Sequence, residues 1–152
     1  MTSSVVRMLE MRGINVEARV GGDYGQTCLT TAAYNGHLTI CHLLIDKGAQ
    51  LEVKDRHGRT PLHYAAYQGR IEIARLLCDH GADVEAHDIG GWRPVHWAAM
   101  YGHISVVKEL IEERNAEVNA RTDDSGRTAL TWARRRNNPI IAAYLISHGG
   151  IE

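Results

Sequence analysis

The chain of 152 residues contains no apolar run approaching the ~20 residues that a bilayer-spanning helix needs. Its amino terminus, Met1-Thr2-Ser3-Ser4-Val5-Val6-Arg7, lacks the long apolar core of a secretory signal. Neither sign of charge dominates: the formal net charge is −1 with 23% charged residues, so the basic surplus that would point to nucleic acid or an anionic membrane surface is missing. Cysteine is scarce and odd in number. Cys28, Cys41 and Cys78 cannot make the even set of an exported disulfide framework, and they read as free thiols that behave as small buried hydrophobes. The expected location is the cytoplasm or the nucleus.

Chemistry-bearing patterns are missing too. Nine histidines are present, yet no Cys-x-x-Cys or His-x-x-x-His spacing brings metal ligands together. No glycine cluster forms G-x-x-x-x-G-K or G-x-G-x-x-G, so no phosphate loop is expected. Cys41 and His42 are adjacent, and neighbours on a helix point in different directions, which rules out a nucleophilic dyad. Asp123-Asp124 reads as a solvated turn. No cofactor, metal or catalysis is expected.

What is present is repetition. Thr27-Cys28-Leu29-Thr30-Thr31-Ala32-Ala33-Tyr34-Asn35-Gly36 recurs as Thr60-Pro61-Leu62-His63-Tyr64-Ala65-Ala66-Tyr67-Gln68-Gly69. It returns as Arg93-Pro94-Val95-His96-Trp97-Ala98-Ala99-Met100-Tyr101-Gly102 and as Thr128-Ala129-Leu130-Thr131-Trp132-Ala133-Arg134-Arg135-Arg136-Asn137. The intervals are 33, 33 and 35 residues, a fixed period carrying T-P-L-H-x-A. Over nearly its whole length the chain resembles the ankyrin repeat family. That resemblance implies an all-α repeat solenoid of helix-turn-helix repeats with projecting β-hairpin loops, and a scaffold that binds other proteins, without naming which.

One domain over residues 1–152 is expected, with a partial repeat at 1–20 and four repeats at 21–54, 55–87, 88–122 and 123–152. In the partial repeat Val5, Val6 and Leu9 match Ile40, Cys41 and Leu44, as if a longer array had been cut, with a reduced natural cap as the alternative. Gly25, Gly58, Gly91 and Gly126 sit two residues before each motif, where a tight turn needs positive φ. Pro61 and Pro94 stand in the first turn of the motif helix, where a missing N–H costs nothing. Gly36, Gly69, Gly102 and Asn137 end that helix. A second helix is predicted over residues 38–46, 71–80, 104–114 and 139–148, each apolar at i, i+3, i+4 spacing and closed by Gly48, Gly81, Asn115 or Gly149. Repeat three is two residues long, with one extra residue in Glu112-Glu113-Arg114 and one in Thr122-Asp123-Asp124-Ser125. Arg134 replaces the second Ala of the motif pair, which marks repeat four as terminal.

Family resemblance assigns His63, His96, His37 and His103 structural hydrogen bonds between neighbouring loops. It also implies a concave groove made of hairpin tips and exposed first-helix positions, where equivalent residues form stripes. The stripe residues are rich in aromatics that the motif does not demand: Tyr24, Tyr34, Tyr67, Trp92 and Tyr101, with Ile89, Met100 and Gln68 beside them. Such residues are enriched at the cores of interfaces. A protein or peptide ligand lying across repeats one to three is therefore expected, with Arg56, Arg59, Arg135 and Arg136 setting its electrostatic register. The run Arg134–Arg136 has two readings, a solvated outer surface or a clamp for an acidic segment or phosphate. Tyr64, Trp97 and Trp132, just after the motif His or its equivalent, are assigned to the core. Asn119 matches the hairpin Asn that asparaginyl hydroxylases modify in similar repeats, although an ordinary hairpin Asn explains it as well. The chain is expected to be a monomer that meets no membrane or nucleic acid. Competing readings are a regulatory segment of a larger enzyme, channel or ubiquitin-ligase subunit, and a small-anion or nucleotide site using Trp92 with Arg59 or Arg127.

Overall fold

A computed structural model describes residue 13, residues 15–20 and residues 22–152. Val5, Val6 and Leu9 of the partial repeat lie outside these residues. Among the described residues eight α-helices follow one another in pairs: α1 (Cys28–Asn35) with α2 (Leu38–Asp46), α3 (Pro61–Gln68) with α4 (Ile71–Asp79), α5 (Pro94–Met100) with α6 (Ile104–Lys108), and α7 (Ala129–Arg135) with α8 (Pro139–Ser147). Each first helix packs on its own second helix and on the first helix of the next pair, so the pairs stack into a solenoid. The buried centre follows the repeat. Leu29, Leu62, Val95 and Leu130 point inward from the first helices, and Leu44, Leu77, Leu110 and Leu145 from the second. The alanine pairs Ala32/Ala33, Ala65/Ala66 and Ala98/Ala99 are buried where a longer side chain would push the stack apart. Arg134 stands where a second Ala would, on the exposed side of the last pair, and ion-pairs with Glu152.

Local chemistry sets the helix ends. Thr27 and Thr128 accept the backbone N–H of Thr30 and Thr131. In the middle repeats the cap comes from the other side: His63 Nδ1 accepts the N–H of Thr60 at 3.1 Å, and His96 Nδ1 that of Arg93 at 3.0 Å. Asn115 and Asn137 are the two non-glycine residues with positive φ among the described residues, both in the left-handed cap where other repeats place glycine.

The two extra residues of repeat three are held in different ways. Ala49 and Ala82 donate their N–H five residues back, to Leu44 and Leu77, whereas Ala116 reaches six residues back to Leu110. The added residue sits in a wider π turn, Glu109–Glu113, that continues α6 and leaves Leu110 in its inward place. At the loop tips Asp55 N–H meets Arg59 O and Asp88 N–H meets Trp92 O, four residues apart, while Thr122 N–H meets Arg127 O, five apart.

Among the described residues only the first loop pairs as strands, β1 (Arg19–Val20) with β2 (Gln26–Thr27), antiparallel, Arg19 opposite Thr27. The other tips are turns whose aspartates replace a ladder: Asp55 Oδ1 accepts from His57 N and Arg59 N, and Asp88 Oδ1 from Gly90 N and Trp92 N. Adjacent tips are stitched by backbone bonds, Arg56 N to Tyr24 O, Ile89 N to His57 O and Asp123 N to Gly90 O. This side-by-side contact is why Gly91 must lack a side chain. Its φ is +74° and a Cβ there would lie 2.5 Å from the Asp123 backbone nitrogen.

A second ladder runs along the far end of the loops. Glu17, Glu52, Glu85 and Asn119 occupy equivalent positions, and each accepts a backbone N–H from the next repeat, of Gln50, Asp83, Glu117 and Ile151 respectively. Asn119 also donates to Gly149 O. Both ends of its amide are thus engaged within the fold.

Candidate functional site

The groove side of the stack carries a belt of aromatic rings. Tyr34 stacks on Tyr67 with centroids 6.1 Å apart, and Tyr67 meets Tyr101 edge-on at 4.5 Å and Trp97 at 5.8 Å. Trp97 continues to Trp92 at 4.8 Å, and Trp92 to Trp132 at 4.5 Å. The rings come from α1, α3, α5, α7 and the tip before α5, so the belt crosses all four helix pairs. Its cause is helix geometry. Tyr64 and Tyr67, or Trp97 and Tyr101, are three or four residues apart and share one helix face, and the repeat then places equivalent faces side by side.

Cations lie over these rings. The Arg59 guanidinium carbon is 4.6 Å from the centre of Trp97 and 5.9 Å from that of Tyr64. Arg127 and Arg135 lie 5.4 and 5.8 Å from Trp132. Such contacts are worth about 0.5–1 kcal/mol when exposed and more when desolvated. Arg59 Nε, buried and without a hydrogen-bond partner, is 3.6 Å from Asp88 Oδ2.

Between the first two tips the belt opens into a hollow of about 390 Å³ lined by Tyr24, Gln26, Tyr34, Arg59, His63, Tyr64, Tyr67 and Trp97. Tyr64 forms part of its floor and donates to Asp55 Oδ2 at 2.6 Å. Burial pushes its phenol pKa up, and the Asp55 carboxylate that holds its proton adds to the shift. Tyr24, 57% exposed, stands at the rim beside His57.

Four of the expected binding residues, Tyr24, Tyr34, Arg59 and Tyr67, are brought together in this hollow. Tyr101 extends it, with Met100 and Gln68 partly buried alongside, and Ile89, 76% exposed, caps the third tip. Arg56 is exposed on the second tip, and Arg135 and Arg136 at the far end on α7 and its cap. Trp92 is different and corrects the expectation of an open tip residue: it is only 9% exposed, clamped between Trp97 and Trp132, with Nε1 donating to Asp124 at 3.2 Å. Its ring folds down because the following repeat offers an aromatic face and a carboxylate. The reverse correction applies to Trp97 and Trp132. They are partly exposed members of the belt, while Tyr64 is buried as expected. The i, i+4 relation of Trp97 to Tyr101 is the sequence signal that could have placed it here.

His63, His96 and His103 are structural, whereas His37, expected to join them, makes no side-chain hydrogen bond among the described residues. His63 Nε2–H donates to Trp92 O at 2.9 Å and that of His96 to Ala120 O at 2.8 Å, each crossing to the next loop. His103 bonds Tyr67 O, and Asn138 does the same for Ala99 O in the last repeat. Burial lowers His63 to about 4 and lowers His96 as well, so both stay neutral. Burial raises the Cys41 thiol to about 12 and Cys78 to about 11, far from the range of a reactive thiolate. Among the described residues no three His, Cys, Asp or Glu side chains converge as a metal site, and no helix is long and apolar enough to cross a membrane.

The family described as ankyrin repeats in three copies matches residues 2–88 and again residues 84–152. Together with the stacked helix pairs, this places the chain in the ankyrin repeat family, whose members are in general protein–protein interaction modules. No curated protein matches the chain.

Proposed function

We propose that this protein is a scaffold or adaptor that binds a protein or peptide through the concave face of its repeat stack, without cofactor or catalysis. The observation that carries this is the belt Tyr34, Tyr67, Tyr101 and Trp97, flanked by the exposed Tyr24 and Ile89. A solenoid of this kind needs alanines and leucines between its helices, and Tyr34, Tyr67 and Tyr101 are not part of its buried core. Tyr101 and Tyr34 leave 42% and 38% of their surface in water. Large aromatics held rigidly at a solvent face are the anchors that dominate protein interfaces, with a few residues worth about 2 kcal/mol or more each.

Loss of the belt should abolish binding without unfolding the chain. Immobilised wild type is compared with Tyr34→Ser/Tyr67→Ser/Tyr101→Ser for capture of proteins from a cell lysate, after matching their circular dichroism and melting. Proteins retained by wild type and lost by the variant are the expected result. Equal retention by both would move the binding surface off this face. Trp92 is left intact in this variant because its ring is part of the packing between repeats.

A further inference from the structure

The way this chain distributes its arginines identifies the kind of segment the groove takes. On the helix-two side and in the loop ladder, three guanidinium groups are neutralised within the fold. Arg75 and Arg114 both hold the buried Glu109, at 2.8 and 2.9 Å, and Arg114 also pairs with Asp79 at 2.6 Å. Arg93 bridges Glu85 and Glu117. On the concave side the pattern reverses: among the described residues Arg56, Arg127, Arg135 and Arg136 make no ion pair, and Arg59 meets Asp88 only at 3.6 Å. Off the belt, Arg19 and Arg121 also lack an ion pair among the described residues but donate to backbone carbonyls. In a chain of net charge −1 the belt thus carries a cluster of guanidinium groups that the fold leaves uncompensated.

We propose that the groove binds an extended acidic peptide segment, one of whose carboxylates seats on Arg59 inside the aromatic hollow. The proposal rests on the concave-face reading and names its ligand. Arg59 is prepared for that role. Its guanidinium carbon lies over the Trp97 ring at 4.6 Å, a contact that restrains a long side chain that would otherwise lose rotamer freedom on binding. Its side chain remains 30% exposed in a hollow floored by Tyr64 and walled by Tyr34 and Tyr67. A guanidinium presents its N–H groups in one plane, the geometry a carboxylate accepts as a fork. The surrounding rings weaken competition from water and give the residue beside that carboxylate an apolar wall. Arg56, on the same tip, serves a second acidic residue, and Arg127, Arg135 and Arg136 serve the distal end of the segment. A ligand cation suits the hollow less well, because Arg59 already lies over the Trp97 and Tyr64 rings and its charge would repel it. A nucleic-acid strand suits the face less well, since Asp23, Asp123 and Asp124, all exposed at the tips, interrupt the positive track with charges that repel a continuous polyanion.

Short random peptides displayed on phage are selected against the immobilised wild-type chain. The winning sequences are then synthesised with a fluorescent label and titrated by anisotropy, each beside a version with Asp and Glu replaced by Asn and Gln. Winners rich in Asp and Glu are expected. Their affinity should fall about tenfold or more, a loss of ~1.4 kcal/mol, on amide replacement, and similarly with Arg59→Gln. It should fall less with Arg56→Gln, whose exposed side chain leaves the Trp97 stack untouched and guards against a folding artefact in Arg59→Gln. Binding should also weaken as salt is raised. Winners that require Tyr67 and Tyr101 but are neutral or basic, or are indifferent to both arginine variants, would overturn the acidic-segment proposal and leave the groove reading standing. Winners that bind the Tyr34→Ser/Tyr67→Ser/Tyr101→Ser variant as well as wild type would overturn the groove reading itself. An Arg59-dependent rise in melting temperature with inorganic phosphate or ATP, without acidic winners, would reassign the hollow to a small anion.

Discussion

Trp92→Ala should lower the unfolding free energy by about 3–5 kcal/mol, the range for removing a large aromatic from a packed site. Three contributions converge there. The ring is sandwiched between Trp97 and Trp132, so its loss leaves a gap that the rigid backbones of repeats three and four cannot close. Its indole N–H reaches Asp124, which would lose a partner across a repeat boundary. Its carbonyl accepts from His63, so movement of this backbone would also disturb the second repeat. Urea unfolding of Trp92→Ala beside Tyr101→Ala is the check. Tyr101→Ala, at 42% exposure, should cost much less. A Trp92→Ala loss below about 1 kcal/mol would mean that the ring does not join repeats three and four.

A comparably large effect is expected from acid. His63 titrates near 4 in the fold against 6.5 in the unfolded chain, because burial disfavours its charged form more than the Trp92 carbonyl and Asp88 favour it. The folded-state pKa is depressed, so between about 6.5 and 4 the unfolded chain takes up a proton that the folded chain refuses. Stability is therefore full above 6.5 and falls as the pH drops through that window. The loss from His63 alone is about 3 kcal/mol by linkage, and His96, shifted in the same direction by the same cause, adds to it. The window separates this from carboxylate effects. Burial alone would raise Glu109, but hydrogen bonds from Arg75 and Arg114 outweigh it and hold the carboxyl below its usual range, so its contribution is lost only at lower pH. Urea midpoints taken between pH 7 and 5 should fall steeply for wild type. His63→Asn should be weaker at neutral pH but flatter in its dependence, and equal slopes in the two chains would contradict the assignment.

Much of the fold could be read from the residues because the repeat sets the same physical problem four times. Glycine or asparagine after each helix, proline in the first turn and alanine between stacked helices each have one steric cause, and their recurrence fixed the helix pairs. Placement of the added residues in repeat three was legible for the same reason, since a turn and a helix end are where the chain can absorb them. The Asp55 and Asp88 turns, and the carboxylate ladder of Glu17, Glu52 and Glu85, were not singled out. They depend on which backbone N–H groups the next repeat presents, a long-range fact that a local motif does not state. The tryptophans were misassigned for a related reason. Whether Trp92 points to water or Trp97 to the core depends on what the following repeat offers, and Trp132 with Asp124 draws Trp92 inward while Trp97 is left at the groove surface beneath Arg59. The arginines read as a source of register in the sequence gain a sharper meaning once their partners are known, because Arg75, Arg93 and Arg114 are closely matched by carboxylates, whereas of the belt arginines Arg59 alone meets one, Asp88 at 3.6 Å.

The central claim is that binding belongs to the concave face. Hydrogen exchange of the wild-type chain, alone and with a partner captured only by the intact belt, tests it most directly. The account predicts slowed exchange at the tips around residues 55–59 and 88–92 and in α3 and α5, with α4, α6 and α8 unchanged. Protection confined to the second helices, with the tips exchanging as in the free chain, would contradict it.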